Sequence, residues 1–113
     1  MINRGDIFIV DLNPTIGSEI NKKRPVIAIS NNINNAYSDT ITVIPITSNV
    51  AKVYPFEVLI EASSKNGLVK KSKAQCHQIR TISKLRFIGK ALGAINKNEI
   101  KEIDSAIKLH LAL

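Results

Sequence analysis

Cysteine is nearly absent from this chain of 113 residues: Cys76 stands alone. No disulfide can form within one chain, and no cysteine-based metal cluster can assemble. Histidine is scarce as well, with only His77 and His110. A zinc site would need several carboxylates beside them, and none cluster suitably, so neither a metal nor a cofactor is expected. Tryptophan is missing and aromatics make up 4% of the residues, which argues against a surface built from many base-stacking rings. No apolar run approaches the roughly 20 residues that a membrane helix needs. The segment from Met1 to Asp6 carries no apolar stretch ending at a small-residue cleavage site. A cytoplasmic protein with no membrane attachment is the expectation.

Acidic residues are missing from one stretch in particular. Residues 62–98 hold nine Lys and Arg and no Asp or Glu, while segments 1–61 and 99–113 each carry a net charge of −1. The entire +7 excess therefore sits in the middle of the chain. A polyanionic partner is the natural reading, and a solvated lysine-rich surface is the plain one. What the chain does have is ordinary for a globular protein: 44% apolar and 22% charged residues, which excludes disorder. Its length makes a single domain over residues 1–113 the expectation, burying about 65% of the unfolded surface.

The first two-thirds of the chain reads as short strands. Residues 7–10 form a continuous apolar run that ends at Asp11 and the turn-forming Asn13-Pro14. Residues 26–29 form a second run, entered through Pro25, and residues 41–46 a third, rich in β-branched side chains. Pro45 predicts an edge or a bulge near the end of that third strand. Residues 56–60 make a fourth. Residues 73–78 alternate, which predicts Lys73, Gln75 and His77 on one face and Ala74, Cys76 and Gln78 on the other. Residues 87–95 read as one weaker, bent strand broken by Gly89 and Gly93. Two long connections, 13–23 and the asparagine-rich 31–39, are candidate binding elements. The tail changes period. Asn96 with Glu99 three residues on is a capping-box pattern, and Ile100, Ile103, Ile107 and Leu111 recur at helical spacing. The fold class is therefore α+β, mainly β: a small, strongly bent sheet or barrel closed by a C-terminal helix.

Four polar clusters carry the candidate chemistry: Gly17-Ser18-Glu19, Lys22-Lys23-Arg24-Pro25, Thr47-Ser48-Asn49, and Gln75-Cys76-His77-Gln78-Ile79-Arg80-Thr81. Each has a plain structural reading. Gly17-Ser18 suits a turn, Thr47-Ser48 can satisfy strand-end backbone groups, and Cys76 reads as a core residue. Taken together they fit phosphate chemistry without metal. RNA transesterification needs a base for the 2′-hydroxyl proton, an acid for the departing 5′-oxygen, and donors that stabilise the pentacovalent phosphate. Arg24 offers a fork of donors, Thr47 and Ser48 offer hydroxyls, and His77 has an ordinary pKa of about 6.5.

The clusters lie among further segments: Arg4-Gly5-Asp6-Ile7-Phe8, Asp11-Leu12-Asn13-Pro14, Arg24-Pro25-Val26, Val43-Ile44-Pro45-Ile46-Thr47-Ser48, Tyr54-Pro55-Phe56-Glu57-Val58 and Gln78-Ile79-Arg80-Thr81-Ile82. In this order and spacing the chain resembles the MazF/PemK toxins of bacterial toxin–antitoxin systems. The resemblance implies an SH3-like β-barrel with short helices and a C-terminal helix, working as a homodimer. It implies a sequence-specific, metal-independent endoribonuclease that cuts single-stranded RNA to 2′,3′-cyclic phosphate and 5′-hydroxyl ends. It also implies a cognate antitoxin whose acidic C-terminal segment occupies the RNA groove. By the same resemblance Arg24 and Thr47 are catalytic, and Gly17, Ser18, Glu19 and Gln78 contact RNA. Ser48, Arg80, Lys70 and Lys71 are added from the charge and hydroxyl pattern. Where some relatives carry a carboxylate proposed for proton transfer, this chain has His77. The resemblance implies that Arg24 acts on the transferred protons and Thr47 stabilises the transition state. Yet a guanidinium is a poor free base at pH 7, so two assignments stand: Arg24 for the proton, or His77 for the proton with Arg24 holding the phosphate. A non-catalytic inhibitor of DNA gyrase on the same fold, or a plain single-stranded nucleic-acid binder, are the alternatives.

Overall fold

The computed structural model describes residues 1–14, 16–18 and 23–113. Among them are seven strands: β1 (Asp6–Asp11), β2 (Lys23–Ala28), β3 (Thr40–Thr47), β4 (Glu57–Ile60), β5 (Ser72–Gln75), β6 (Arg80–Ser83) and β7 (Phe87–Ala94). Two α-helices join them, α1 (Asn32–Tyr37) and α2 (Lys97–Leu111), with 3₁₀ turns at Cys76–Gln78 and Lys84–Arg86. The strands form one antiparallel sheet in the order β4-β5-β3-β2-β1-β7, and β6 pairs with β3 off that path. The sheet bends strongly, but no pairing among the described residues joins β4 to β7, so it is not a closed barrel.

Strands β1 to β3 read as unbroken apolar runs because both of their faces are covered. On one face Ile7, Ile27, Ile44 and Ile46 pack with Val58, Ile60, Ala74 and Cys76 beneath Ile103 and Ala106 of α2. On the other, Phe8, Val10, Val26, Ala28, Ile41, Val43 and Ile82 form a second cluster inside the curl of the sheet. Helix α2 begins on the predicted capping box: Asn96 Oδ1 accepts from Glu99 N–H at 2.8 Å and Glu99 Oε1 from Asn96 N–H at 2.9 Å. Its buried stripe runs through Ile103 and Ala106, with Ile100 and Ile107 beside them, whereas Leu111 is exposed.

Two readings of the sequence change in the fold. Pro45 is fully buried in the middle of the sheet, opposite Val26. It is tolerated because β3 exchanges partners there, pairing with β6 through Val43 and with β5 from Ile46. The asparagine-rich connection is α1 and its caps, held by its own amides. Asn31 Oδ1 caps Asn34 N–H, and buried Asn35 bonds the side chain and carbonyl of Ser30. Those asparagines are occupied in structure.

The bent strand expected over 87–95 is β7, whose register with β1 shifts between Ile7 and Ile9, and Gly93 serves a close approach. A Cβ there would lie 2.2 Å from the Lys65 carbonyl oxygen, which accepts the Ala94 N–H at 3.0 Å. Gly93→Ala should cost about 3 kcal/mol by overpacking against rigid backbone. The urea midpoint will fall while the m-value stays unchanged.

Candidate active site

Arg24 lies at the start of β2, one residue before Pro25, and Thr47 ends β3. The β2–β3 ladder aligns Val26 with Pro45, so the two strand ends reach the same side of the sheet. Between them opens a cleft of about 390 Å³ lined by Arg24, Thr47, Ser48, Lys70 and Ser72 over an apolar floor that includes Pro25 and Ile46. Partial burial lowers the Arg24 pKa without displacing the charge from neutral pH, since a guanidinium starts above 12. The guanidinium is half-buried, so its field is less screened than that of a surface cation. Three hydroxyls, one guanidinium and one ammonium facing a shared space make an anion-binding set. Carboxylates, imidazoles and thiolates are absent from its lining among the described residues.

The other predicted residues divide. Lys70 lines the cleft, but the Lys71 ammonium turns to Glu61 at 3.3 Å in an exposed pair. Gln78 closes the 3₁₀ turn after β5, and Arg80 begins β6 opposite Val43; both are half-buried and neither lines the cleft. Gly17 and Ser18 form an exposed turn, with Gly17 at φ +60° in open space. Glu19 and Lys22 lie outside the described residues.

His77 sits in the 3₁₀ turn, outside the lining of the cleft. Its ring meets Phe56 edge-on at 4.6 Å and lies 6.3 Å from the His110 ring. Its Nδ1 is buried with no hydrogen-bond partner. Burial lowers the His77 pKa; Glu57 opposes this, and His110 and Lys73 add to it. The folded chain thus binds this proton less readily than the unfolded chain, whose histidine titrates near pH ~6.5. Stability from this group is complete above that value and falls as the pH drops through it. Glu57 acts in a lower window, because its pKa lies below the usual carboxylate range. The melting temperature should therefore fall between pH ~7.5 and ~5.5, and His77→Gln should flatten the fall.

Cys76 is fully buried, and burial, followed by the Glu57 charge, pushes its thiol up to about 12. It is a core residue with no accessible thiolate. Alternation failed for Lys73, which was expected on the open face with His77. Its side chain is buried and ion-paired to Glu57 at 3.0 Å. Ser72 was missed altogether. It belongs to the cleft because it immediately precedes Lys73, which pairs with Thr47 in the β3–β5 ladder.

Residues 3–111 match the family of PemK-like, MazF-like toxins of type II toxin–antitoxin systems. The chain belongs to that family. Endoribonuclease MazF9 of Mycobacterium tuberculosis is 45% identical, over all of this chain and 98% of the relative. Endoribonuclease MazF of Staphylococcus saprophyticus is 40% identical, over all of this chain and 93% of the relative. The crystal structure of MazF from Deinococcus radiodurans superposes with a TM-score of 0.85 at 21% identity, covering 98% of this chain and 96% of that one. An endoribonuclease solved in complex with its cognate antitoxin, from a mycobacterial species, gives 0.81 at 21% identity, covering 100% and 97%. In this toxin family the bent antiparallel sheet with its C-terminal helix is the shared frame. The Arg24–Thr47 cleft sits on that frame at the ends of two of its central strands.

Proposed function

We propose that this protein is an endoribonuclease toxin that cuts single-stranded RNA in the Arg24–Thr47 cleft and is neutralised by a cognate antitoxin. The observation that carries the reading is the meeting of Arg24, Thr47, Ser48 and Lys70 in one cleft, in a chain so similar to named endoribonucleases. In the proposed reaction the RNA's 2′-oxygen forms a bond to phosphorus and the bond from phosphorus to the 5′-oxygen breaks. The 2′-hydroxyl gives up one proton and the 5′-oxygen gains one, so the step leaves a 2′,3′-cyclic phosphate and a 5′-hydroxyl. Arg24 holds the non-bridging oxygens and Thr47 donates to the charge that develops on them. Lys70 holds the strand. No group suited to gripping a divalent cation lines the cleft among the described residues, which supports a metal-independent route.

His77 is the proposed proton carrier. Its lowered pKa keeps it neutral, and so able to accept a proton, at pH 7. Because His77 lies outside the cleft lining, its proposed role requires the RNA to extend from the cleft to the 3₁₀ turn that follows β5. Gln78 and Arg80, on and just after that turn, are proposed contacts along this path, and the Gly17-Ser18-Glu19 loop and Lys71 are proposed to reach RNA from outside the cleft. The basic middle of the chain suits the acidic segment of an antitoxin as well as RNA. A cytoplasmic homodimer is the proposed working form, with exposed Leu109 and Leu111 near the end of α2 as candidate contacts between copies. Among the described residues no helix is long and apolar enough to cross a membrane.

The test is incubation of the protein with a long natural transcript in EDTA, followed by analysis of the ends. Cyclic-phosphate and 5′-hydroxyl ends support the proposal. Binding without cleavage, or gyrase inhibition alone, overturns it. Repeating the assay across pH with His77→Ala tests the proton carrier. Loss of the acidic limb of the rate profile supports His77, and an unchanged profile removes it from the mechanism.

A further inference from the structure

The chain has only five aromatic residues, yet two of them stand together on the connection between Ser48 and β4. Tyr54 lies parallel to Phe56, with ring centroids 5.4 Å apart and planes inclined by 4°. Phe56 is backed in turn by the edge of His77. Tyr54 nevertheless remains 46% exposed, and the Lys52 ammonium stands 5.9 Å from its ring centre. An exposed, flat ring on a fixed backing, with a lysine ammonium over it, can take a base on the ring when the long lysine side chain swings from the ring to the adjoining phosphate.

The connection is held by an unusual device. The buried Lys73 ammonium donates to the Lys52 carbonyl at 2.6 Å and to Glu57 Oε1 at 3.0 Å. The same Glu57 oxygen accepts the Tyr54 N–H at 3.0 Å, and the Glu57 N–H returns to the Tyr54 carbonyl at 2.9 Å. Burial acts to raise the Glu57 pKa, but the Tyr54 N–H and Lys73 outweigh it and keep the carboxylate charged. A buried ion pair is a poor way to gain stability, since a well-packed apolar pair of the same volume often does as well or better. What this pair does is fix both ends of the segment from Lys52 to Tyr54. Lys73 also sits opposite Thr47 in the ladder and directly follows Ser72 of the cleft, so one residue ties the ring stack to the cleft wall.

We propose that the outer face of Tyr54, backed by Phe56 and flanked by Lys52, is a stacking subsite for an unpaired nucleobase of the RNA, and that Lys73 is the positioning residue that holds it. The proposal rests on the endoribonuclease reading and adds where the strand goes on leaving the scissile phosphate.

The probe is a short single-stranded RNA spanning a mapped cut site, with 2′-deoxyribose at the scissile position and 2-aminopurine placed at each neighbouring base in turn. With wild-type protein one position should be quenched by stacking. In Tyr54→Ala the quench should vanish and affinity should fall about tenfold or more, whereas Tyr54→Phe should retain both. For Lys73, the double variant Lys73→Met with Glu57→Met removes the pair without stranding a buried charge. It should keep its melting temperature, lose the quench and raise KM several-fold with kcat little changed. Unchanged affinity and quench in a folded Tyr54→Ala that still cuts RNA would overturn the subsite and leave the nuclease standing. Failure of the wild type to cut or bind any RNA would overturn both.

Discussion

Arg24→Ala lowers the single-turnover rate of RNA cleavage about a thousandfold or more, while the melting temperature moves by only a few degrees. The size follows from the environment of the guanidinium. A cation pre-set against the phosphate oxygens in a partly dry cleft stabilises developing charge far more than it would in water, and removal of one such donor costs about 10²–10³ in rate. Arginine clamps on transferring phosphoryl groups reach about 10³–10⁵. Arg24→Lys keeps the charge but loses the two-pronged fork, so it should recover only part of the rate. The small stability effect follows from position: Arg24 stands near the edge of β2, before the buried residues Val26, Ile27 and Ala28 that carry the packing. A rate unchanged within a few-fold in Arg24→Ala would mean that the reacting phosphate sits elsewhere.

Thr47→Val lowers the rate about a hundredfold, and Thr47→Ser leaves it near that of the wild type. Valine keeps the shape and the β-branch, so the β3 ladder survives and only the hydroxyl is lost. Thr47 Oγ1 accepts from the Asn49 N–H at 3.3 Å, a long bond that leaves its own hydrogen available to a phosphate oxygen. The loss should fall on kcat with little change in KM, because the bond is strongest to charge present only in the transition state. A rise in KM at constant kcat would instead make Thr47 a ground-state binding residue.

Much of this cleft is legible in the sequence. Arg24 and Thr47 each lie at the end of an apolar run, where a strand must stop and a polar group can face a cleft, and antiparallel pairing brings such ends together. The capping box and most of the α2 stripe were legible for a similar reason, since each is set by residues three or four apart. Long-range features were not. Nothing local in the sequence told that Lys73 would be buried, because its partner Glu57 is 16 residues away and meets it only through the β4–β5 ladder. Pro45 misled because the rule about edges assumes one partner per side, and β3 has two in succession. The need for glycine at 93 is a packing requirement imposed by Lys65, again visible only when the two segments meet. Lys70 and Lys71 look equivalent in sequence, yet only the first enters the cleft.

The central claim is that Arg24 and Thr47 act together on one phosphodiester, and a double-mutant cycle tests it most directly. Single-turnover cleavage of one RNA would be measured for the wild type, Arg24→Ala, Thr47→Val and the combined variant. Groups that work on one transition state are strongly non-additive, so the double variant should be little slower than Arg24→Ala alone. A combined loss equal to the product of the two single losses would show two independent sites of action and contradict the account.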